Sequence, residues 1–319
     1  MRVSTHSYTD SMLAQFNALA SRQFNLQSQV STGLRVQSAS DDPAAMANTL
    51  ALIAKKNADT QYAQNISTQQ DRANLIYGVV QALQVTVSNA GELATSAVNG
   101  TANNSAANQS TLNGYATTVN TMIEDTVKQA NTKDTVAGNY LFGGTASGAA
   151  PFSVTRDANG DITGVTYNGT STVNQSEIGE GLTASVDVPG VNTSGTGAPG
   201  LITDSQSGAD LLNHLISLRD NLKSGNLTAI TSTDSPNIQK DENNIAAQAT
   251  NNGVVQSRLN AAASFISNDS TSLDKSISNQ SSADLVQTMV QLNQAQNGYQ
   301  AALQSSAKIM QMSILNYIS

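Results

Sequence analysis

The chain contains no cysteine and no tryptophan. Without thiols it can form neither disulfides nor thiolate metal sites. Charge is scarce as well: Asp, Glu, Lys and Arg make up 12% of the 319 residues. Lys and Arg total 15 against 23 acids, a net charge of −8, and they are scattered, so the basic footprint of a nucleic-acid binder is missing. No apolar run approaches the roughly 18 residues of a spanning helix, and no membrane partner is expected. The opening MRVSTHSYTDSM has no apolar h-region, so no cleaved signal is expected. Aromatics are only 4% of the chain, and much of the 39% hydrophobic content is alanine and valine. Few large side chains remain for a deep globular core. Long helices that share their burial with neighbours suit this composition better.

What is present falls into zones. Residues 1–40 hold only Arg2, Asp10, Arg22 and Arg35 as permanent charges, and residues 285–319 hold only Lys308. Residues 138–200 hold 13 of the 22 glycines and three of the five prolines. The flanks between carry most of the charge. Both ends read as helices. Met12, Phe16, Leu19, Gln23, Leu26 and Val30 step by three and four. Leu285, Met289, Leu292, Gln296, Tyr299, Leu303, Ala307, Met310, Ile314 and Tyr317 follow a 3.6 period for about nine turns. Their other faces are Asn, Gln, Ser, Thr and Ala. A helix without charge can be packed on several sides without stranding an ion, which is costly when buried. The two ends therefore pair with each other, or they are buried inside an assembly.

The flanks are helical too. Asp41-Asp42-Pro43 and Ser235-Pro236 each read as a cap followed by proline at the first helical position. One helix is expected from Ala44 to about Val98, with Gly78 or Gly91 as possible breaks. A second is expected over about 108–132, and a third over 206–224 with Gly225 past its end. A fourth is expected from Pro236 to about Ser270. The middle reads as β: FSVTR (152–156), a DANGD turn, ITGVTY (162–167), and LTASVDV (182–188). The expected fold is mainly α: an elongated helical bundle with coiled-coil terminal helices and a small inserted β domain. The expected division is 1–42 with 277–319, then 43–137 with 205–276, then 138–204.

A search for chemistry finds none. His6 and His214 are the only histidines, and His214 sits beside a leucine stripe as a partly exposed helix residue. Asp41 and Asp42 lack the alternating ligands of a calcium loop and read as helix caps. YLFGGT (Tyr140–Thr145) is neither a P-loop nor GxGxxG. No catalytic triad, metal site or cofactor is expected, and function is expected to lie in surfaces.

Four stretches carry a family resemblance. STGLRVQSASDDPAA (31–45) resembles the segment by which flagellins and flagellar hook-filament junction proteins leave their first helix. LNQAQNGYQAALQSSAKIMQMSILNYI resembles their closing helix. The MRVST start, Pro43 and GNYLFGGTASGAAPF (138–152) are similar to the hook-associated protein 3 family rather than to flagellin itself, which remains the alternative. Gly143 stands where that family usually has alanine, and the chain closes in Ile-Ser where an arginine is frequent. The resemblance implies a structural, non-enzymatic protein of the bacterial flagellum, exported without a cleaved signal through the flagellum-specific type III channel. The implied partners are an export chaperone, hook-associated protein 1, flagellin and copies of itself in a ring. It also implies terminal segments that are disordered in the free monomer and fold on assembly. The terminal stripes would be the assembly surface. The joint between the first two helices would be formed by Gly33, Arg35, Asp41, Asp42 and Pro43.

Overall fold

The computed structural model describes residues 5–100, 106–134 and 138–318, and side chains over 10–100, 108–134 and 138–308. The chain separates into two units, Met1–Thr60 with Asn268–Ser319, and Gln61–Ser267. The sequence-based division places the terminal boundaries elsewhere, at 42 and 277. The elements are α1 (Thr5–Thr32), α2 (Pro43–Gly100), α3 (Ala106–Ala130), seven short strands, α4 (Leu211–Ser224), α5 (Leu227–Ala229), α6 (Ser235–Ser281) and α7 (Leu285–Ile318). Helices α2 and α6 each contribute residues to both units. Among the described residues, no helix is long and apolar enough to cross a membrane.

In the 61–267 unit the helices bury residues at a seven-residue repeat. On α2 the buried positions are Ala73, Val80, Val87 and Ala94, interleaved with Ile76, Leu83, Ala90 and Ala97. That alternation of three and four is the seam of a helix packed nearly parallel to its neighbours. Small residues at its C-terminal end let partners approach closely. On α3 the series is Leu112, Ala116, Val119, Ile123, Thr126 and Ala130. Helix α2 runs through Gly78 and Gly91 without a break. Helix α4 buries Leu211, Leu215, Leu218 and Leu222, starts later than the expected 206, and ends at Gly225 with φ +67°. The Asn226 amide donates to Asn221 O and closes that end.

The entry to α6 differs from the expected Ser235 cap. Asn226 caps the one-turn α5 by accepting from the Ala229 amide. A π-helical turn, Ile230–Asp234, then leads straight into α6. Pro236 has no N–H to give and would crowd the preceding turn of an α-helix. The wider π turn accommodates it. Helix α6 also continues to Ser281, past the expected end near Ser270.

The strands form three small sheets. β1 (Phe152–Arg156) pairs antiparallel with β2 (Ile162–Tyr167), Phe152 opposite Tyr167, with a bulge at Thr155/Arg156. β3 (Ser176–Gly179) pairs with β4, which covers only Leu182–Ala184 of the expected 182–188 strand. β5 (Val191–Asn192), β6 (Thr203–Asp204) and β7 (Ala209–Asp210) complete a third sheet, β5 parallel and β7 antiparallel to β6. This β region has no core of its own. Leu141, Phe142, Phe152, Ile162, Ile178, Leu201 and Ile202 belong to the same buried cluster as the helical leucines. Arg219 fastens the two parts. Its guanidinium, almost fully buried, donates to Ile162 O at 2.7 Å and Asn120 Oδ1 at 3.0 Å, and pairs with Asp220.

Arg219→Met keeps much of the apolar stem but strips Ile162 O and Asn120 of their donor. The expected loss is about 1–3 kcal/mol, read as a lower urea midpoint. Phe142→Ala in the same cluster is expected to cost about 3–5 kcal/mol.

Candidate assembly surface and helix joint

The unit formed by 1–60 and 268–319 contains both chain ends. Helices α1 and α7 pack against each other. On α1 the residues turned inward are Met12, Phe16, Leu19, Gln23, Leu26 and Val30, with Leu26 fully buried and the others half-buried. Phe16 meets Tyr299 edge to face, ring centroids 6.0 Å apart. On α7 the inward face is different from the leucine stripe. It consists of Thr288 and Ala295, both buried, with Leu292, Gln296, Tyr299, Ala302 and Ser306 half-buried.

Leu285, Met289 and Leu303 are exposed, as are Val286 and Val290 between them. Val286 is 76% exposed. Helix α1 also has an outward pair that periodicity did not single out: Leu13 and Phe24, the latter 71% exposed. Eleven residues separate them, three helical turns, so they share one face. The side chains of His6, Met310, Ile314 and Tyr317 lie outside the described residues. The pair of terminal helices thus leaves apolar side chains uncovered on both members. Each would contribute about 1.5–3 kcal/mol if fully buried.

The joint between α1 and α2 is built residue by residue. Gly33, at φ +72°, stops α1, and its amide donates to Gln29 O at 2.9 Å. Gln37 folds back, accepting from Ser28 Oγ and donating to Thr32 Oγ1. Asp41 Oδ2 accepts the Gln37 and Ser38 amides at 3.1 and 2.9 Å, closing the turn. Asp42 Oδ1 accepts the Ala45 amide at 3.0 Å, the N-cap bond that starts α2 behind Pro43. Arg35 pairs with Asp42 at 3.2 Å, not with Asp41, and donates to Gln280 O at 3.0 Å.

That last contact reveals a second joint, between α6 and α7, lying beside the first. The Arg35 amide donates to Ser281 O at 2.7 Å, and the Ala283 amide donates to Gly33 O at 2.8 Å. Asp284 then caps α7, accepting the Val286 and Gln287 amides, both at 3.0 Å. Ion pairs Lys55–Asp269 and Lys56–Asp274 tie α2 to α6 next to it. The sequence carries no Gly or Pro at 281–284; the legible signal was Asp284 three residues ahead of Gln287, a capping-box spacing.

The acid groups elsewhere are structural. His214 Nδ1 lies 2.8 Å from Asp241 Oδ2, and Asp241 Oδ1 accepts the Asp210 amide at 2.9 Å. Burial raises the Asp241 carboxyl above its ordinary value, with His214 opposing. Among the described residues, no three His, Asp or Glu side chains are grouped to hold a metal ion.

Backbone amides of Ser38 and Gln37 hold the Asp41 carboxyl below its ordinary 3.8, and the Ala45 amide with Arg35 does the same for Asp42. A lowered acid stabilises the fold above its unfolded value and loses that contribution as pH falls through the folded one. Amide-exchange protection at Ser38 and Ala45 is therefore expected to be full above about pH 4 and to collapse below it. Gly33 has open space where a Cβ would stand, so Gly33→Ala tests backbone strain alone. It is expected to cost about 1 kcal/mol, while Gly78→Ala, in a helix interior with equal room, is expected to stabilise by about 0.5–1 kcal/mol.

Comparison with known proteins bears on what this arrangement belongs to. The family model for the bacterial flagellin N-terminal helical region matches residues 3–147, and that for the flagellin C-terminal helical region matches residues 236–318. Sequence comparison with curated proteins gives no match. Among solved structures, a flagellar hook-associated protein from Vibrio parahaemolyticus is similar with a TM-score of 0.62 at 19% identity, covering 76% of this chain and 100% of that one. FlgL from Xanthomonas campestris gives 0.55 at 16%, covering 70% and 98%. Flagellar hook-associated protein 3 from Legionella pneumophila gives 0.50 at 13%, covering 76% and 98%. The two helical regions flank the β strands as they do in the fold just described, and with them matched over most of its length the chain belongs to the bacterial flagellin family, as a structural rather than enzymatic component of the flagellum.

Proposed function

We propose that this protein is a hook-filament junction subunit, which adapts the hook side of the flagellum to the flagellin filament. The observation that carries this reading is the α1–α7 pair. It is joined at one end, nearly free of charge, and apolar on faces that the pair itself does not cover. In the junction, neighbouring subunits and adjoining flagellar proteins supply the missing cover. Assembly and ordering are then one step: the terminal segments 1–42 and 277–319 gain burial only among neighbours, and that burial offsets the conformational entropy of fixing them. The subunits form a homo-oligomeric ring seated on hook-associated protein 1 and receiving flagellin on the other face. The chain travels there through the flagellum-specific export channel, escorted by a chaperone.

The alternative reading is a filament subunit, supported by the flagellin description of both matched regions. The fold likeness to hook-associated proteins favours the junction. A filament subunit polymerises in bulk from its own kind, whereas a junction subunit needs the hook end as a seed.

Met289→Asp and Leu303→Asp place a charge on the uncovered face without touching the α1 contact. Both variants are expected to keep the wild-type melting temperature and to lose attachment of filaments in a strain lacking the wild-type protein. Global unfolding of either, or undiminished attachment, would defeat the proposal. Limited proteolysis of the free chain is expected to trim about 40 residues from each end and to leave a resistant core.

A further inference from the structure

We propose that the central stretch of α6 is a second contact between copies of this chain, with Phe265 of one copy seated in the cavity beside Val254 of the next. The inference rests on the proposed self-assembly but concerns a surface outside the terminal helices.

Charge is the first argument. Residues 61–267 hold 16 of the 23 acids and 8 of the 15 Lys and Arg, so the entire net charge of −8 lies in that unit. Two such bodies repel unless they meet on a neutral face. From Asn243 to Asn268, 26 residues of α6, the only charged side chain is Arg258, and its guanidinium is engaged with Thr183 O at 3.1 Å. This stretch of α6 is thus poor in charge on an acidic unit, and the one carboxylate lining the cavity beside it, Asp187, is neutralised by Arg72.

Shape is the second. Phe265 is 68% exposed and Val254 63% exposed. Eleven residues apart, they lie on one side of α6 about 16 Å from each other. The other described phenylalanines outside the terminal helices, Phe142 and Phe152, are buried. Beside Val254 is a cavity of about 270 Å³, walled by Val186, Val188, Pro199, Gln248 and Val255. It is smaller than the roughly 300–1,000 Å³ of small-molecule sites and suits a single large side chain. Two of its amides are engaged: Gln248 donates to Pro199 O and Asn252 to Ala73 O. The rest of the wall is mostly apolar, with Val186, Val188, Pro199, Val254 and Val255 beside Ser185 and Asn251, and its one carboxylate, Asp187, is paired with Arg72 at 2.6 Å, so an aromatic ring enters without stranding a charge. Knob and cavity are separate patches of one molecule, so each copy gives Phe265 to one neighbour and receives it from another. Such heterologous contacts propagate around rings and helical turns.

The absence of native cysteine makes the test direct. Phe265→Cys and Val254→Cys, both at exposed positions, are prepared in the full chain as separate proteins, mixed, assembled on hook-associated protein 1 and oxidised mildly with diamide. A disulfide-linked dimer is expected from the mixture and from neither variant alone. Phe265→Asp is expected to raise the concentration needed for assembly on the order of tenfold or more, with melting unchanged. Dimers from Phe265→Cys alone would mean a symmetric contact and overturn the proposal. Normal assembly with no cross-link, or with Phe265→Asp indistinguishable from wild type, would also overturn it and leave the junction reading standing. If the wild-type chain does not assemble, or if Leu303→Asp assembles normally, the junction reading itself fails and this contact goes with it.

Discussion

Helix α7 carries apolar side chains around more of its circumference than α1 can cover. The side that meets α1 is made of Thr288, Ala295 and Ala302 together with Leu292 and Tyr299. Small residues there bring the two backbones close, and the edge-to-face contact of Phe16 with Tyr299 holds their register. The bulk of the apolar surface points elsewhere, through Leu285, Val286, Met289, Val290 and Leu303. A two-helix pair of this composition has little else to hold it. Helical stability in proteins comes mostly from packing an amphipathic face. Here one face is packed thinly and another is exposed, so the pair draws little stability from its own contacts, and in the proposed junction a partner would supply the rest.

The paired joints fix how the two terminal helices leave the bend. Gly33, Arg35 and Ala283 bind the end of α1 to the start of α7 through backbone bonds, so the two helices leave from one point with fixed phase. Asp42 and Asp284 begin α2 and α7 with the same device, a carboxylate accepting the amides of the first turn. The carboxylates are thereby used as caps. The interaction that sets the phase is the backbone bonding, and the side chains complete it. Pro43 adds a fixed φ at the first helical position and forbids continuation of the preceding turn into α2.

Where large aliphatic residues marked a period, the sequence was legible. The leucines of α4, the stripe of α1 and the FSVTR–ITGVTY hairpin all stand where periodicity puts them. The seam of α2 was not read, because Ala73, Ala90, Ala94 and Ala97 fill half of it and alanine is common on every face. On α7 the period count follows leucine and methionine, of which Leu285, Met289 and Leu303 stay exposed, while the contact with α1 adds Thr288, Ala295 and Ala302, residue types that a period count passes over, to Leu292 and Tyr299. The shared core of the strand region was hidden because it depends on a buried arginine, and Arg219 reads in sequence as a surface residue. The second joint was hidden because 281–284 hold neither glycine nor proline, the strongest breakers, and tertiary bonds to Gly33 and Arg35 stop the helix there.

The division of charge connects these features to assembly. Residues 1–60 and 268–319 carry seven acids and seven basic residues, an exact balance, while the other unit carries the whole excess of eight acids. A surface that packs against copies of itself gains from neutrality, because each like charge brought within a Debye length, about 8 Å at physiological salt, adds repulsion. Like charge on the acidic unit sets a repulsion that copies brought together in the proposed assembly would have to overcome. Apolar faces in the neutral unit supply the opposing attraction, and it does not weaken as salt screens the repulsion. On the proposed assembly, the balance between them would make association conditional: weak between isolated chains, and favourable where a seed has already ordered the terminal helices and presents their uncovered faces in register.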